Sequence, residues 1–194
     1  MLVSIDFENT RNLTTGFSEG DESQAGIAIL DTHGLHYADP SDLISTYNLV
    51  TGSASYFEKS SKSFMFGEAS SIQPAELLSC ITSVIPAKRP IILVGHGFQV
   101  EVVIFARLGF NFAEDRISAI IDTGHLARQV LGVKSCSLRT LLRALGCPFN
   151  QLHSGGNDAH FTLQAALLLA IRSCQSTLPW ISCERPHLQR SPTG

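Results

Sequence analysis

Acidic side chains stand in the first apolar segment of the chain, at a spacing that can hold a metal ion. Asp6 and Glu8 lie two residues apart in LVSIDFE (2–8), and residues at that spacing on a β-strand point to the same face. Two carboxylates on one face repel each other unless a cation lies between them. The pair therefore predicts a divalent-metal site if both residues lie on the strand. If the strand ends near residue 6, Glu8 is a solvated loop residue, and for an isolated pair this second interpretation is the more common one.

Two further acidic residues follow apolar runs in the middle of the chain. In GHGFQVE (95–101), Glu101 falls in the first turn of a predicted helix, where the helix dipole favours a carboxylate. In IIDT (120–123), Asp122 ends a predicted strand, which is a place for functional groups in open α/β sheets and also for ordinary turn residues. Taken singly, each residue is explained by its local role.

The fourth acidic position opens HSGGNDAHFTLQAALLLA (153–170), where a polar, Gly-rich stretch precedes an apolar helical run. Asn157 is predicted to cap this helix, and Asp158 is predicted to lie in its first turn. Capping does not account for His153, which precedes Asp158 by five residues on a predicted loop. His153 is either an ordinary exposed residue or a general base beside a metal site.

The apolar pattern predicts the elements that would position these residues. Alternating or continuous apolar runs predict strands at 2–8, 25–31, 45–50, 89–96 and 117–123, the last two of them buried. Helical spacing predicts helices at 72–85, 99–109 and 137–146, and a last one from HSGGND to about Cys174. Residues 9–24 and the Ser/Lys-rich 58–63 are predicted loops. Three strands followed by alternating helix and strand predict an α/β domain whose mixed sheet is an antiparallel N-terminal meander extended by parallel strands.

Composition limits the class of protein. The chain has 194 residues, of which 44% are hydrophobic, so we expect one folded domain over 1–178 and a flexible tail over 179–194. The net charge of −3 means that nucleic-acid binding would need a local basic patch. The chain begins directly with a predicted strand, so it is either a minimal domain or a piece of a longer protein.

The cysteines and the apolar runs bear on the cellular compartment. Five cysteines without a CxxC pair argue against a disulfide framework and a structural zinc site, and they predict reduced thiols. No signal peptide is visible, and no apolar run is long enough to span a membrane. We therefore expect a cytoplasmic or nuclear protein that does not bind membranes.

Taken in order, five segments resemble the DEDDh branch of the ribonuclease H-like 3′–5′ exonucleases: IDFE, LVGHGFQVE, IIDT, SLRTLLRALGCP and HSGGNDAHFTLQA. The resemblance runs from residue 2 to about 172. LVGH and the last three segments are most similar to a fungal branch of exonuclease-like proteins related to a yeast mRNA-export cofactor. The resemblance implies a ribonuclease H-like sheet and two Mg²⁺ or Mn²⁺ ions. It also implies release of 5′-mononucleotides from the 3′ end of single-stranded RNA or DNA.

The resemblance also assigns roles to individual residues. It implies four metal ligands, Asp6, Glu8, Glu101 and Asp158, with His153 as the general base. Glu101 departs from the family pattern, which usually has Asp there, and places the carboxylate one methylene further out. Val100 stands where the family commonly has Phe. Supporting roles beside the ligands are expected for His96, Asp122 and Asn157.

Candidates for nucleic-acid contact lie near the third and fourth acidic positions. Four basic residues could contact phosphate: Arg128, Lys134, Arg139 and Arg143. The alternative is a solvated surface, because Arg139 and Arg143 share one side of a predicted helix whose leucines face inward. Phe98 stacks on a base or, as we favour, packs in the core.

Three functional hypotheses stay open. The first is an active metal-dependent 3′–5′ exonuclease. The second is a weakly active or inactive relative that binds nucleic acid or protein, which Glu101 favours. A hydrolase with a protein nucleophile ranks low, because the sequence has no GxSxG motif.

Overall fold

The computed structural model describes residues 1–15, 20–33, 43–86, 89–110 and 117–177. The strands of these ranges form one sheet in the order β4-β3-β2-β1-β5-β6. They are β1 (Leu2–Glu8), β2 (Ser23–Leu30), β3 (Ile44–Thr51), β4 (Ala69–Ser71), β5 (Ile91–Gly95) and β6 (Ile117–Asp122). β1, β2 and β3 pair antiparallel, whereas β5 joins β1, β6 joins β5 and β4 joins β3 in parallel. The predicted mixed sheet, of the ribonuclease H-like kind, is confirmed.

Helices cover both faces of this sheet. They are α1 (Thr10–Thr15), α2 (Ala54–Ser63), α3 (Leu77–Val84) after a 3₁₀ turn at Pro74–Glu76, α4 (Gln99–Leu108), α5 (Thr123–Leu131), α6 (Leu138–Leu145) and α7 (Gly155–Thr177). α7 is the longest of them and packs across β1, β2, β3 and β5. Among the described helices, none is long and apolar enough to cross a membrane.

The period-two pattern of β1 decides which residues face α7. Val3, Ile5 and Phe7 join a core that includes α3 and α4 side chains. The intervening residues, Asp6 and Glu8 among them, therefore point to the opposite face, where α7 lies. Further along the sheet, that face is apolar: Ala28, Leu30 and Val94 pack against Ala159, Leu163 and Ala166 of α7.

Two predicted loops contain helices. Residues 58–63 belong to α2, which begins after Ser53, whose hydroxyl accepts a hydrogen bond from the backbone N–H of Tyr56. The Ser/Lys-rich composition is that of a solvent-facing helix, with an exposed Glu58–Lys62 pair at helical spacing. Within predicted loop 9–24, residues 10–15 form α1, which buries Leu13.

The prediction that 117–123 is a buried strand is wrong for most of its length. β6 lies at an edge of the sheet, and Ile120 at its middle is 49% exposed. An apolar strand sequence does not reveal whether a neighbouring strand or helix covers it, so burial was overestimated. The short strand β4 and helix α5 were not predicted.

Several predicted boundaries are confirmed. β1 spans 2–8 as expected, and α6 begins after the Ser137 cap and ends before Gly146, whose φ of +67° suits glycine. The inward leucines of α6 are buried. Cys80, Cys136, Cys147 and Cys174 are free thiols. The predicted tail over 179–194, with Cys183, lies outside the described residues.

Candidate metal centre

The start of α7 is fixed to the sheet by buried polar side chains. The backbone N–H of Gly155 donates to Gln24 Oε1 at 3.2 Å, and that of Gly156 donates to Asn48 Oδ1 at 3.1 Å. The Asn48 amide in turn donates to Gln24 Oε1 at 3.1 Å. These bonds satisfy N–H groups that the first turn of any helix leaves unpaired. They hold α7 in register with β1, because Glu8 pairs with Gln24 across the strands.

Glycines at the contact between α7 and the sheet allow the helix to come this close, because they have no side chain. A Cβ on Gly26, which pairs with Asp6, would lie 1.8 Å from the carbonyl oxygen of Gly155. A Cβ on Gly156 would lie 2.5 Å from the ring of Phe64. The GG pair of the opening stretch therefore serves close packing in helical conformation, and neither glycine has a positive φ.

Asn157 does not cap α7, and that prediction is wrong. The first helical bond runs from the N–H of Asp158 to the carbonyl of Ser154, so the helix begins before Asn157. The buried Asn157 side chain accepts from the N–H of Met65 and donates to the carbonyls of Ser63 and Gln151. It ties the end of α2 to the loop that carries His153.

His153 and Asp158 meet Glu8 at the start of α7. The N–H of His153 donates to Asp158 Oδ2 at 3.0 Å, and His153 Nδ1 lies 3.9 Å from Glu8 Oε1. One ligand atom from each of the three side chains falls within 4.8 Å of the others, a spacing that could hold a metal ion. The His153 side chain is 81% exposed, whereas Asp158 is 8% exposed.

The backbone of the His153 loop is strained. Gln151 and His153 have φ angles of +50° and +70°, a region that residues with side chains seldom adopt. The bond from the His153 N–H to Asp158 and the bond from the Asn157 amide to the Gln151 carbonyl hold this conformation. Strain maintained by such contacts is typical of functional loops.

The carboxylates of the site are close enough to perturb one another. Burial raises the pKa of Asp6 well above its usual range, and three nearby carboxylates raise it further: Asp158, Glu8 and Glu101. Burial raises the pKa of Asp158 to about 7; the bond from the His153 N–H opposes this rise, and the charge of Glu8 adds to it. Burial also raises the pKa of Glu8, against the opposing effect of His153.

Glu101 reaches this cluster from α4. It lies in the first turn of the helix, as predicted, and burial raises the pKa of its carboxyl, with a further contribution from the charge of Asp122. Glu101 Oε2 and Asp158 Oδ1 are buried, and neither has a hydrogen-bond partner among the described residues. Buried carboxylate oxygens without donors are costly unless a cation is bound, so this donor set fits a hard divalent ion such as Mg²⁺ or Mn²⁺.

Two neighbouring residues, His96 and Asp122, have structural contacts. His96 bonds through Nδ1 to the Thr123 hydroxyl and through Nε2 to the Cys136 carbonyl, both at 2.9 Å. Asp122 caps α5 by accepting from the N–H groups of Gly124 and His125, as the turn interpretation predicted, and its other oxygen accepts from the N–H of Phe98.

Phe98 is 3% exposed and packs in the core, as we favoured. Its ring therefore has no free face for a nucleobase, and the stacking role is corrected.

The four basic candidates lie in two places. Arg128 and Lys134 line a cleft together with His96, Gln99 and Asp122. Arg139 and Arg143 lie on the exposed side of α6, with their guanidinium carbons 5.6 and 5.9 Å from the centre of the Phe149 ring.

Sequence reasoning missed Gln24, Asn48 and Tyr56. The Tyr56 hydroxyl accepts from Asn9 and Gln24 amides at 3.1 and 3.2 Å, and burial raises its pKa. Asn48 was detectable in principle, because it is an amide between Tyr47 and Leu49 in a predicted strand. Gln24 fell in the predicted loop 9–24 and gave no such signal. Tyr56 left no signal, since its helix was not predicted.

The arrangement can bind divalent cations and place a histidine beside them. Carboxylates from β1, α4 and α7 meet beside a ribonuclease H-like sheet, and paired metal ions held by such ligands can assist phosphodiester hydrolysis. The chain belongs to the DEDDh_C family, described as DNA polymerase III subunit epsilon-like, C-terminal domain, whose family model matches residues 1–169. A comparison with curated proteins gave no match.

Proposed function

We propose that this protein is a metal-dependent 3′–5′ exonuclease that hydrolyses phosphodiester bonds of single-stranded RNA or DNA. The observation that carries the proposal is the convergence of four carboxylates, two of which bury an oxygen without a hydrogen-bond donor. Such a cluster is unfavourable by itself and becomes favourable with bound cations. Membership of the DEDDh_C family supports the nuclease class.

The metal ligands of the proposed site are Asp6, Glu8, Glu101 and Asp158. The charges of Asp158, Glu8 and Glu101 all act on buried Asp6, which supports its role as a shared ligand of two ions. Bound Mg²⁺ or Mn²⁺ would supply charge for the attacking and leaving oxygens and for the phosphate. The protein supplies fixed ligands, because Gln24 and Asn48 hold the start of α7 against β1.

His153 is the proposed general base. Its imidazole is exposed at the mouth of the cluster, and its backbone is held by Asp158 and so stays near the ligands. In this position the neutral ring can accept a proton from an attacking water and return it to solvent. The side chain retains freedom to turn toward a substrate, because its distance of 3.9 Å from Glu8 exceeds a hydrogen bond.

Glu101 supports ligation despite its extra methylene. Its Oε2 is already buried and unpartnered, so the carboxylate does not have to leave another contact to meet an ion. A weakly active or inactive relative that binds nucleic acid is the second candidate, and the length of Glu101 is the observation that favours it.

The finer assignments are also part of this proposal. Four segments support a place in the fungal exonuclease-like branch related to a yeast mRNA-export cofactor: LVGH, IIDT, SLRTLLRALGCP and HSGGNDAHFTLQA. The four free thiols among the described residues support a reducing compartment, the cytoplasm or nucleus.

The direct test is degradation of a 5′-labelled single-stranded oligonucleotide in Mn²⁺. We expect a ladder that shortens from the 3′ end, loss of the ladder in EDTA, and loss in Asp158→Asn. Asp31→Asn is the matched control, because Asp31 is an exposed carboxylate that pairs with Arg89 and follows β2 at the end where Leu30 pairs with Leu2, away from Glu8. Absence of a ladder in the wild type with retained oligonucleotide binding would favour the second candidate.

A further inference from the structure

A cleft of about 290 Å³ opens where β5 and β6 end, at the start of helices α4 and α5. Its wall includes Gln99, which lies on α4 one half-turn before Glu101. It also includes Asp122, whose charge acts on Glu101. Ser4 of β1 pairs with Val94 of β5, so Asp6 and the cleft residue His96 each follow that pair by two residues. The cleft therefore borders the candidate metal centre along this edge of the sheet.

The cleft carries excess positive charge. Arg128 and Lys134 line it, and within the described ranges neither forms an ion pair with a carboxylate. The negative charge in the wall, Asp122, is taken up by backbone N–H donors at 2.8 to 3.1 Å. Burial would raise the pKa of Asp122, but these backbone bonds outweigh burial and lower it, so the carboxylate keeps its charge and its donors.

The remaining polar groups suit an anion. Arg128 uses one guanidinium N–H on Nδ1 of His125 at 2.9 Å, which orients the group and leaves its other N–H donors available. The Ser135 hydroxyl and the Gln99 amide add neutral donors to the wall. Hydroxyl and amide donors beside the charged side chains of Arg128 and Lys134 match the oxygens of a phosphate better than the flat face of a base.

The other two basic candidates are placed differently. Arg139 and Arg143 lie over the Phe149 ring on α6 and are not part of the cleft wall. The contact with the ring leaves both charges in place, so the two pairs of basic residues differ in position. The structure thus separates two basic groups that the sequence treated as one.

We infer that this cleft binds backbone phosphates of the single-stranded substrate upstream of the scissile bond. The inference rests on the proposed exonuclease function and adds a direction to it: the uncleaved strand leaves the metal centre past Glu101 and α5, and it does not pass Phe149 and α6. Arg128 and Lys134 are the residues that hold it.

The test measures the affinity of a 5′-fluorescein-labelled oligothymidylate by anisotropy, in EDTA and in Ca²⁺, over a range of salt concentrations. Arg128→Gln and Lys134→Gln each remove one phosphate contact, which lowers the magnitude of the salt slope by about 0.7 and the affinity by about fivefold at 0.1 M salt. Arg139→Gln and Arg143→Gln are the matched controls, and we expect their slopes to equal that of the wild type. A neutral methylphosphonate at one upstream linkage should weaken binding to the wild type and have no further effect on the double variant Arg128→Gln/Lys134→Gln.

The outcomes separate the cleft from the exonuclease proposal. Wild-type cleavage with unchanged slopes in the cleft variants, or equal losses in the controls, overturns the cleft assignment and leaves the exonuclease standing. Normal cleft effects on binding without any wild-type cleavage in Mn²⁺ overturn the exonuclease and leave the phosphate site. No binding of the oligonucleotide by the wild type in either EDTA or Ca²⁺ overturns the cleft assignment.

Discussion

At the scale of single residues, the burial and contacts of Glu101 indicate whether a Glu can bind metal where the family usually has Asp. Its carboxylate comes from a helix, and the helix backbone sets how far the added methylene carries it. Burial of Oε2 without a donor indicates that the group is held inside the site. The side chain therefore has the position of a ligand, although its length differs from the usual Asp.

Substitution of Glu101 tests this conclusion. Glu101→Gln removes the charge at nearly constant shape, and we expect Mn²⁺-dependent nuclease activity to fall by about a hundredfold or more. Glu101→Asp keeps the carboxylate, and activity should stay within about tenfold of the wild type. Equal activity of the Gln variant and the wild type, measured as initial rates on the same oligonucleotide, would show that Glu101 is not a ligand.

The carboxyl of Asp158 should make the stability of the metal-free protein depend on pH. The pKa of Asp158 is about 7 in the folded protein against 3.8 for an ordinary Asp, so the folded state binds more protons than the unfolded state between these values. The contribution of Asp158 to stability is thus greatest at or below pH 4 and falls as the pH rises to 7, by on the order of 4 kcal/mol. Burial lowers the pKa of His160 to about 4, and this group acts in the opposite sense over the same window. The measurement is therefore the difference in urea unfolding free energy between the wild type and Asp158→Asn in EDTA, which should shift in favour of the variant as the pH rises from 4 to 7. A difference that does not change over this window would contradict the account.

Metal binding should release the same protons. A cation requires ionised carboxylates, so Mn²⁺ binding at pH 6 must displace protons from Asp158 and Asp6, whose pKa values are raised. Calorimetric titrations in buffers of different ionisation enthalpy should show release of at least one proton at pH 6 and less as the pH rises. Binding with no proton release at pH 6 would place the ion elsewhere.

At the scale of elements, the site depends on how closely α7 approaches the sheet. Gln24 accepts from Gly155 and donates to Tyr56, so one amide links β2, α2 and α7. Bonds of this kind around metal ligands fix the ligand geometry. Gln24 is therefore a positioning residue for Asp158.

Gln24→Leu removes that link at similar volume. We expect Mn²⁺ affinity to fall by about tenfold or more, with a smaller loss in an activity assay at saturating Mn²⁺. The control is Gln175→Leu, since Gln175 is an exposed amide near the end of α7. If Gln24→Leu is less stable but binds Mn²⁺ with wild-type affinity in calorimetry, Gln24 contributes to core packing and does not position the metal ligands.

The elements also show what the sequence can and cannot predict. Strong periodicity with clear ends, as in β1 and α6, gave boundaries close to those observed. The order of acidic motifs gave candidate ligands from three elements that the fold does bring together. The exposure of β6 and the start of α7 depended on tertiary neighbours, which no local pattern contains.

Amide positions within strands were the hardest part of the site to predict. Gln24 and Asn48 act through bonds to residues more than a hundred positions away, so their role appears only when the sheet is assembled. The cap assigned to Asn157 failed for a related reason, since its true partners lie on α2 and the preceding loop.

At the scale of the whole molecule, acids from both halves of the chain meet on one face of the sheet. β1 supplies two of them, α4 one and α7 one, and the opposite face of β1 carries the larger apolar core. A metal ion bound at this cluster would link elements that are far apart in sequence, and unfolding would release it.

Global stability should depend on divalent ions as a result. A ligand that binds only the folded state stabilises it by about 2.7 kcal/mol at a hundred times its Kd. We expect Mn²⁺ to raise the Tm of the wild type relative to EDTA and to have little effect on the Asp6→Asn/Asp158→Asn double variant. An equal rise in both proteins would indicate a site other than the proposed one.

The most direct measurement is anomalous X-ray scattering from crystals soaked with Mn²⁺. The account predicts manganese peaks within coordination distance of Asp6 and Asp158, with a Glu101 oxygen and a Glu8 oxygen each bound to an ion. Peaks absent from this cluster, or Glu101 turned away from every ion, would contradict the central claim.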